Sequence, residues 1–186
     1  YWPGEAGRWR TKADRSHPER WRRITRNAMA DVRWESRWFD RWQVLDPAQP
    51  VIHVNAFEAE AYCHWAARAL PTAAQWEHAA SGRDGAGRYG FPAAFRWGRS
   101  VWEWTADAFQ PYPGFAPGPY RDYSAPWFGS HRELRGGAFA THSRLHDAGY
   151  RNFFMAHRSD IFAGFRTVGP QGQAATGTIA TCHRPT

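Results

Sequence analysis

The chain has 186 residues, of which 17% are aromatic and 12 are Trp, a hydrophobic share of 42% and a net charge of +7. This is one domain's worth of chain, long enough to bury a core, and it holds no run of about 18 apolar residues that could span a bilayer. Its two cysteines, Cys63 and Cys182, lie too far apart for a disulfide framework or a zinc site and fit a reduced, cytoplasmic setting.

The N-terminal part is basic and rich in Trp. Residues 1–42 carry ten Arg and one Lys against six acidic residues, which places +5 of the +7 there, interleaved with Trp2, Trp9, Trp21, Trp34, Trp38 and Trp42. Such a mixture suits a stacking groove for single-stranded nucleic acid or an Arg-rich surface whose aliphatic stems cover Trp faces. The second reading is the commoner one, and a nucleic acid partner is not expected.

Residues 1–33 show neither helical nor strand periodicity, although Ser16-His17-Pro18-Glu19 has the form of a short helix opening with Ser16 as its cap. Trp34 to Asp46 reads as extended and ends at the turn signal Asp46-Pro47. Pro50 to Val54 reads as a short strand. A helix is predicted from Asn55, which forms a capping box with Glu58, and Phe57, Ala61, His64, Trp65 and Arg68 follow at helical spacing until Pro71. Thr72, with Gln75 at the box position, opens a second helix that buries Trp76, Ala79 and Ala80. Glu58, His64, Glu77 and His78 lack metal-ligand spacing and read as scaffold.

Residues 81–100 read as a glycine-rich loop, and Trp102-Glu103-Trp104-Thr105 alternates large and polar as a strand does. Gln110 to Ser130 is a long segment rich in proline and glycine, and long irregular loops inside compact domains usually carry function. The stretches Glu133–Phe139, Tyr150–Phe154 and Asp160–Arg166 read as irregular or short-strand structure with guanidinium groups laid on aromatic faces. Gly136-Gly137 requires a tight bend or a close approach of another segment. From Gly169 onward the chain reads as a tail outside the domain.

Several of these stretches carry a resemblance. LRGGAF, YRNFF and IFAGFR resemble the C-terminal signature of the formylglycine-generating-enzyme-like (sulfatase-modifying factor) family. PVIHVNAFEAEAYCHWAARALPTAAQWEHAA resembles that family's entry segment, and VWEWTADAF its central Trp-Glu-Trp-Thr motif. YPGFAPGPYRDYSAPWFG is most similar to the ergothioneine-type iron sulfoxide synthases and the selenoneine synthases within it. The resemblance implies an α+β fold of irregular, C-type-lectin-like character with little regular secondary structure. Residues 50–168 would form its core, 1–49 a basic N-terminal part with an insertion at 11–33, and 169–186 a flexible tail.

The resemblance also implies chemistry. Ergothioneine-type synthases hold Fe(II) through an HxxxH-plus-carboxylate triad on a separate N-terminal helical domain, which is expected outside this chain, upstream of Tyr1. His142 and His146 have the HxxxH spacing but sit in the other domain, and position 148 is Ala, so no metal is assigned to this chain. Formylglycine generation in this family uses a redox cysteine pair near the C-terminal signature, and residues 130–170 contain no Cys. That activity is therefore not expected.

By motif position, Asn152 and Phe153 correspond to the pair that contacts a trimethylammonium-bearing histidine, and Arg158 to a carboxylate-binding Arg. Phe154 replaces the Asp found in the subgroup that uses γ-glutamylcysteine, which leaves the thiol or selenol donor open. Tyr120 is the first candidate for a proton-donating Tyr and Tyr123 the second. The implied function is the substrate-binding half of an iron-dependent C–S or C–Se bond-forming oxidase, inactive as this chain alone. The alternative is a binding module of the same fold without catalysis.

Overall fold

The computed structural model describes residues 1–25, 32–80 and 100–169. Among the described residues three helices, α1 (Gly4–Ala13), α2 (Ala56–Trp65) and α3 (Ala73–Ala80), accompany seven strands. The strands are β1 (Trp21–Thr25), β2 (Val32–Trp38), β3 (Arg41–Val44), β4 (Trp102–Ala108), β5 (Arg132–Gly136), β6 (Arg151–Phe154) and β7 (Ala163–Gly164). No helix among the described residues is long and apolar enough to cross a membrane.

The N-terminal part is more ordered than its periodicity suggests. α1 has Glu5 in its first turn and Arg10 and Lys12 in its last, which suits the helix dipole. It buries little beyond Ala6, so no apolar stripe announces it. Trp9 docks it on α2 through Phe57, with ring centroids 5.6 Å apart. The helix predicted at Ser16 does not form: Asp14 takes a left-handed conformation that ends α1, and Ser16 to Arg20 follow as bends and turns. His17 precedes Pro18, which disfavours helical backbone there.

β1, β2 and β3 form an antiparallel sheet in that order. The extended segment predicted from Trp34 is thus most of a hairpin, turned at Phe39. Arg22 lies over the Trp42 ring at 4.4 Å and Arg37 over it at 5.5 Å, so guanidinium groups already cover that Trp.

The strand predicted at Pro50–Val54 is also absent. His53 adopts φ +60, in the left-handed region, and breaks the extended run. What remains is one backbone bond from Val54 N–H to the Ala163 carbonyl. Both capping boxes form as predicted. Asn55 accepts from the Glu58 N–H while Glu58 accepts from the Asn55 N–H, each at 2.9 Å. Thr72 and Gln75 exchange the same pair of bonds at 3.1 and 2.9 Å. α2 stops at Trp65, short of Pro71, and Trp65 is exposed; Ala79 on α3 is exposed as well.

The second sheet, ordered β6-β5-β4-β7, organises the domain. One face carries Trp102, Trp104, Leu134 and Ala163 against Ala56, Ala59 and Cys63 of α2. On the other face lie Glu103, Glu133 and Arg135, next to Trp76 and Glu77 of α3. β4 is therefore buried on both sides and does not alternate between core and solvent.

The glycines explain how the strands fit. Gly136 has φ +86, and the His146 ring packs on Gly137 so closely that an added Cβ would lie 2.9 Å from its Nε2. A Cβ on Gly164 would lie 2.1 Å from the Val51 carbonyl oxygen. Bend and close approach, the two demands read from Gly136-Gly137, are both met, one at each residue.

Candidate functional site

The segment between β4 and β5 contains two short 3-10 turns, Arg121–Tyr123 and Ala125–Trp127. Tyr120 and Tyr123 are 72% and 70% exposed, with ring centroids 6.3 Å apart. They border an open groove of about 290 Å³ that also touches Phe115, Pro117, Pro119 and Ser124.

Arginines fasten the start of this segment. Arg151 lies over Phe109 and Tyr112 at 4.5 and 4.3 Å and donates to the Gln110 carbonyl at 2.6 Å. Its Nε donates to Glu133 at 2.9 Å. Arg135 Nε stands 2.7 Å from Glu133 Oε1 without pointing its N–H at that oxygen, and Arg135 Nη2 reaches Glu77 at 3.0 Å.

The other predicted residues lie on or just after β6. Phe153 stacks on Phe109 at 4.1 Å and 15° and meets the His131 ring edge-on at 5.7 Å. Adjacent strand residues point to opposite faces, so Asn152 and Phe153 diverge, and the Asn152 side chain accepts from the Phe153 N–H at 2.8 Å. Phe154 packs against the apolar core, with the Arg158 guanidinium over its ring at 5.5 Å.

Arg158 is already partnered. Its Nε and Nη2 each donate to Asp160 at 2.6 Å, a fork that holds the Asp160 carboxyl below the usual carboxylate range and pushes Arg158 up. A substrate carboxylate would have to compete with Asp160 for that fork. Tyr120 and Tyr123 share no hydrogen bond or ring contact with Asn152, Phe153, Phe154 or Arg158. Rings connect the two groups by two routes: His131, flanked by Phe153 and by Trp127 at 5.1 Å, and the series Phe153, Phe109, Phe128 and Phe115, with centroids 4.1, 4.9 and 5.2 Å apart, which ends at the groove.

Among the described residues no three of His, Cys, Asp and Glu converge to hold a metal. His142 Nδ1 accepts from the Arg144 N–H, and His146 covers Gly137. Cys63 lies on the buried face of α2, and desolvation pushes its thiol up to about 11, which makes it a poor thiolate ligand. The predicted loop at 81–100 falls on residues outside the described ones up to 99, as do Cys182 and nearly all of the predicted tail.

Sequence reasoning missed His131 and the buried Glu103–Arg166 and Glu133–Arg135–Arg151 groups. A signal was available for the second. Glu133 and Arg135 stand two apart in a predicted strand and must share a face.

The profile of the sulfatase-modifying factor enzyme 1-like domain matches residues 9–100 and 95–170. The chain belongs to that family.

Relatives named hercynine oxygenase and relatives named formylglycine-generating enzyme both match. The hercynine oxygenase of Mycobacterium tuberculosis is 32% identical over 201 residues, covering 89% of this chain and 45% of that protein. The hercynine oxygenase of Mycolicibacterium smegmatis is 35% identical over 157 residues, 63% of this chain and 37% of that protein. The formylglycine-generating enzyme of Streptomyces coelicolor is 31% identical over 138 residues, 52% of this chain and 44% of that protein. This domain spans less than half the length of each. The structure of PvdO from Pseudomonas aeruginosa superposes with a TM-score of 0.51 at 16% identity, over 87% of this chain and 74% of that one. That likeness concerns the fold alone, and it agrees with the α+β, irregular architecture.

Proposed function

We propose that this domain is the substrate-binding part of a cytoplasmic oxidase that forms a C–S or C–Se bond on an α-N-trimethylated histidine. The observation that carries the reading is similarity to hercynine oxygenases over as much as 89% of the chain. The lack of any Cys between residues 130 and 170 removes the cysteine pair that formylglycine generation in this family would use. The described residues offer no three-ligand set for iron, and in this reading a partner helical domain would hold the metal.

The roles of this chain's residues are to bind and orient. A quaternary ammonium has no N–H to donate and is satisfied by an aromatic face, which Phe153 supplies. Arg158 takes the carboxylate of the thiol or selenol donor by releasing Asp160. Tyr120, at the mouth of the groove, donates a proton to the bound substrate, and Tyr123 flanks it.

Two experiments test this reading. In the protein that joins this domain to its iron domain, Phe153→Ala raises the KM of the trimethylated histidine about tenfold and leaves the donor's KM nearly unchanged. Arg158→Ala does the reverse. Equal changes in both constants would return these residues to the core. Separately, stoichiometric tight binding of ferrous iron by this chain alone would overturn the division of labour between the two domains.

A further inference from the structure

His131 stands immediately before β5, and its backbone is fixed at both ends. Its N–H donates to the Trp127 carbonyl at 3.2 Å, and its carbonyl accepts from the Phe109 N–H at 2.8 Å. The ring is 9% exposed and meets Trp127 and Phe153 edge-on, at interplanar angles of 63° and 78°. It thus joins the aromatic wall of the candidate site to the segment that carries Tyr120 and Tyr123.

Ser130 determines its tautomer. The Ser130 Oγ lies 3.1 Å from the Trp127 carbonyl oxygen and 2.9 Å from His131 Nδ1. A hydroxyl has one proton, and a carbonyl oxygen can only accept, so that proton goes to Trp127. Both contacts are then satisfied only if His131 Nδ1–H donates to Oγ. Nε2 is left with its lone pair. Among the described residues no protein hydrogen-bonding group meets it, and the residue keeps 9% of its surface exposed. Burial, aided by the Arg158 charge, holds the imidazole's pKa below its ordinary value, which favours the neutral ring at neutral pH.

We infer that His131 Nε2 is a ligand-positioning acceptor, which takes the ring N–H of a substrate whose quaternary ammonium lies against Phe153. The inference rests on the function proposed above. Of the two cationic or polar ends of a trimethylated histidine, only the imidazole has an N–H to give. A neutral acceptor receives it without setting a second positive charge beside the ammonium. The geometry therefore selects for substrates with an N–H donor in the ring.

The test separates acceptor from filler. Calorimetric titration of the protein carrying both domains uses trimethylated histidine and a ring-N-methylated analogue, which has no ring N–H. His131→Phe keeps the packing and loses the acceptor, so affinity for trimethylated histidine falls about tenfold. His131→Gln returns an acceptor and recovers most of that loss. Neither change alters the analogue, which the unsubstituted protein binds weakly. If His131→Phe binds both ligands normally while Phe153→Ala weakens trimethylated histidine, this inference fails and the proposed function stands. If the unsubstituted protein binds no trimethylated histidine, the proposed function fails. Nitrogen-15 spectra of histidine-labelled chain read the tautomer without any substitution: Nδ1-protonated His131 supports the assignment, and the Nε2-protonated form overturns it.

Discussion

The two faces of the β6-β5-β4-β7 sheet are both buried, yet they are held by opposite chemistry. Toward α2 the contacts are Trp102, Trp104, Leu134 and Ala163, an apolar layer in which each contact adds a little. Toward α3, Glu103 accepts from Trp76 Nε1 at 2.8 Å and from Arg166 Nη2 at 2.6 Å, while Glu133 sits between Arg135 and Arg151 at 2.7 Å from each. Buried charges tolerate no vacancy, because removing one partner leaves the other desolvated and alone. One face is therefore graded in its response to mutation, and the other behaves as a set. Arg135 and Arg151 also touch Tyr112 and the Gln110 carbonyl, so the charged face grips the long segment that borders the candidate site.

The sharpest way to break this comparison is one substitution on each face. Glu103→Ala and Trp104→Ala are each expected to cost about 3–5 kcal/mol in chemical denaturation, the first by removing the buried carboxylate that accepts from Trp76 and Arg166 and the second by opening a cavity. Adding Arg166→Met to Glu103→Leu should recover much of the first loss, since an apolar pair replaces an ion pair. No comparable second change rescues the Trp104 cavity. A double variant no better than Glu103→Ala would show that the two faces respond alike.

Gly164→Ala probes the sheet edge. Its Cβ would fall 2.1 Å from a backbone oxygen that no rotamer can move, so a loss of about 3 kcal/mol is expected. A variant as stable as the parent would mean that the 51–54 segment yields easily.

A third measurement concerns Glu58, in the first turn of α2. Burial raises its pKa from 4.5 to about 7, with the Asn55 N–H, Arg15 and His17 pulling it down and Glu19 pushing it up. Between those two values the folded chain holds a proton that the unfolded chain has lost. The stability contributed by the protonated form is complete at the acid end of this window and disappears as pH rises through about 7. Glu58→Gln keeps a box acceptor without a charge to bury, so it should flatten this dependence and gain on the order of 2 kcal/mol at pH 8 relative to the parent. Thermal melts at pH 5 and pH 8 read the difference, and parallel pH profiles would dismiss it. The smallest effect is Asn55→Ala, which removes the cap acceptor and should cost about 1 kcal/mol at any pH.

Local chemistry was the legible part of this chain. Asn55/Glu58 and Thr72/Gln75 close their boxes because each bond spans only three residues, so spacing alone determines the partners. β6 falls within its predicted stretch for the same reason, and β4 and β5 overlap theirs, β4 running on to Ala108 and β5 beginning one residue early at Arg132. α1 was not legible: its docking depends on Trp9 reaching Phe57, a partner far along the chain. Nor was the failed strand at Pro50–Val54, since the left-handed His53 is held by a ring contact with Phe162 and a bond to the Ser159 carbonyl.

The candidate site divides in the same way. Motif position placed Asn152, Phe153, Phe154 and Arg158 together on and after β6, but only the pleat decided that Asn152 and Phe153 face apart, and only the turn at Asp160 engaged Arg158. His131 carried no signal in the sequence, because its environment is assembled from Trp127, Ser130 and Phe153 after the sheet has formed. The sequence by itself determined the family, the helix caps, the bend at Gly136-Gly137 and the want of a cysteine pair between residues 130 and 170. These depend on residue type and on neighbours a few positions away. Tertiary structure decided which charges are buried, which ring lies on which guanidinium and which histidine nitrogen is left open. Those depend on distances between residues that the chain itself keeps far apart.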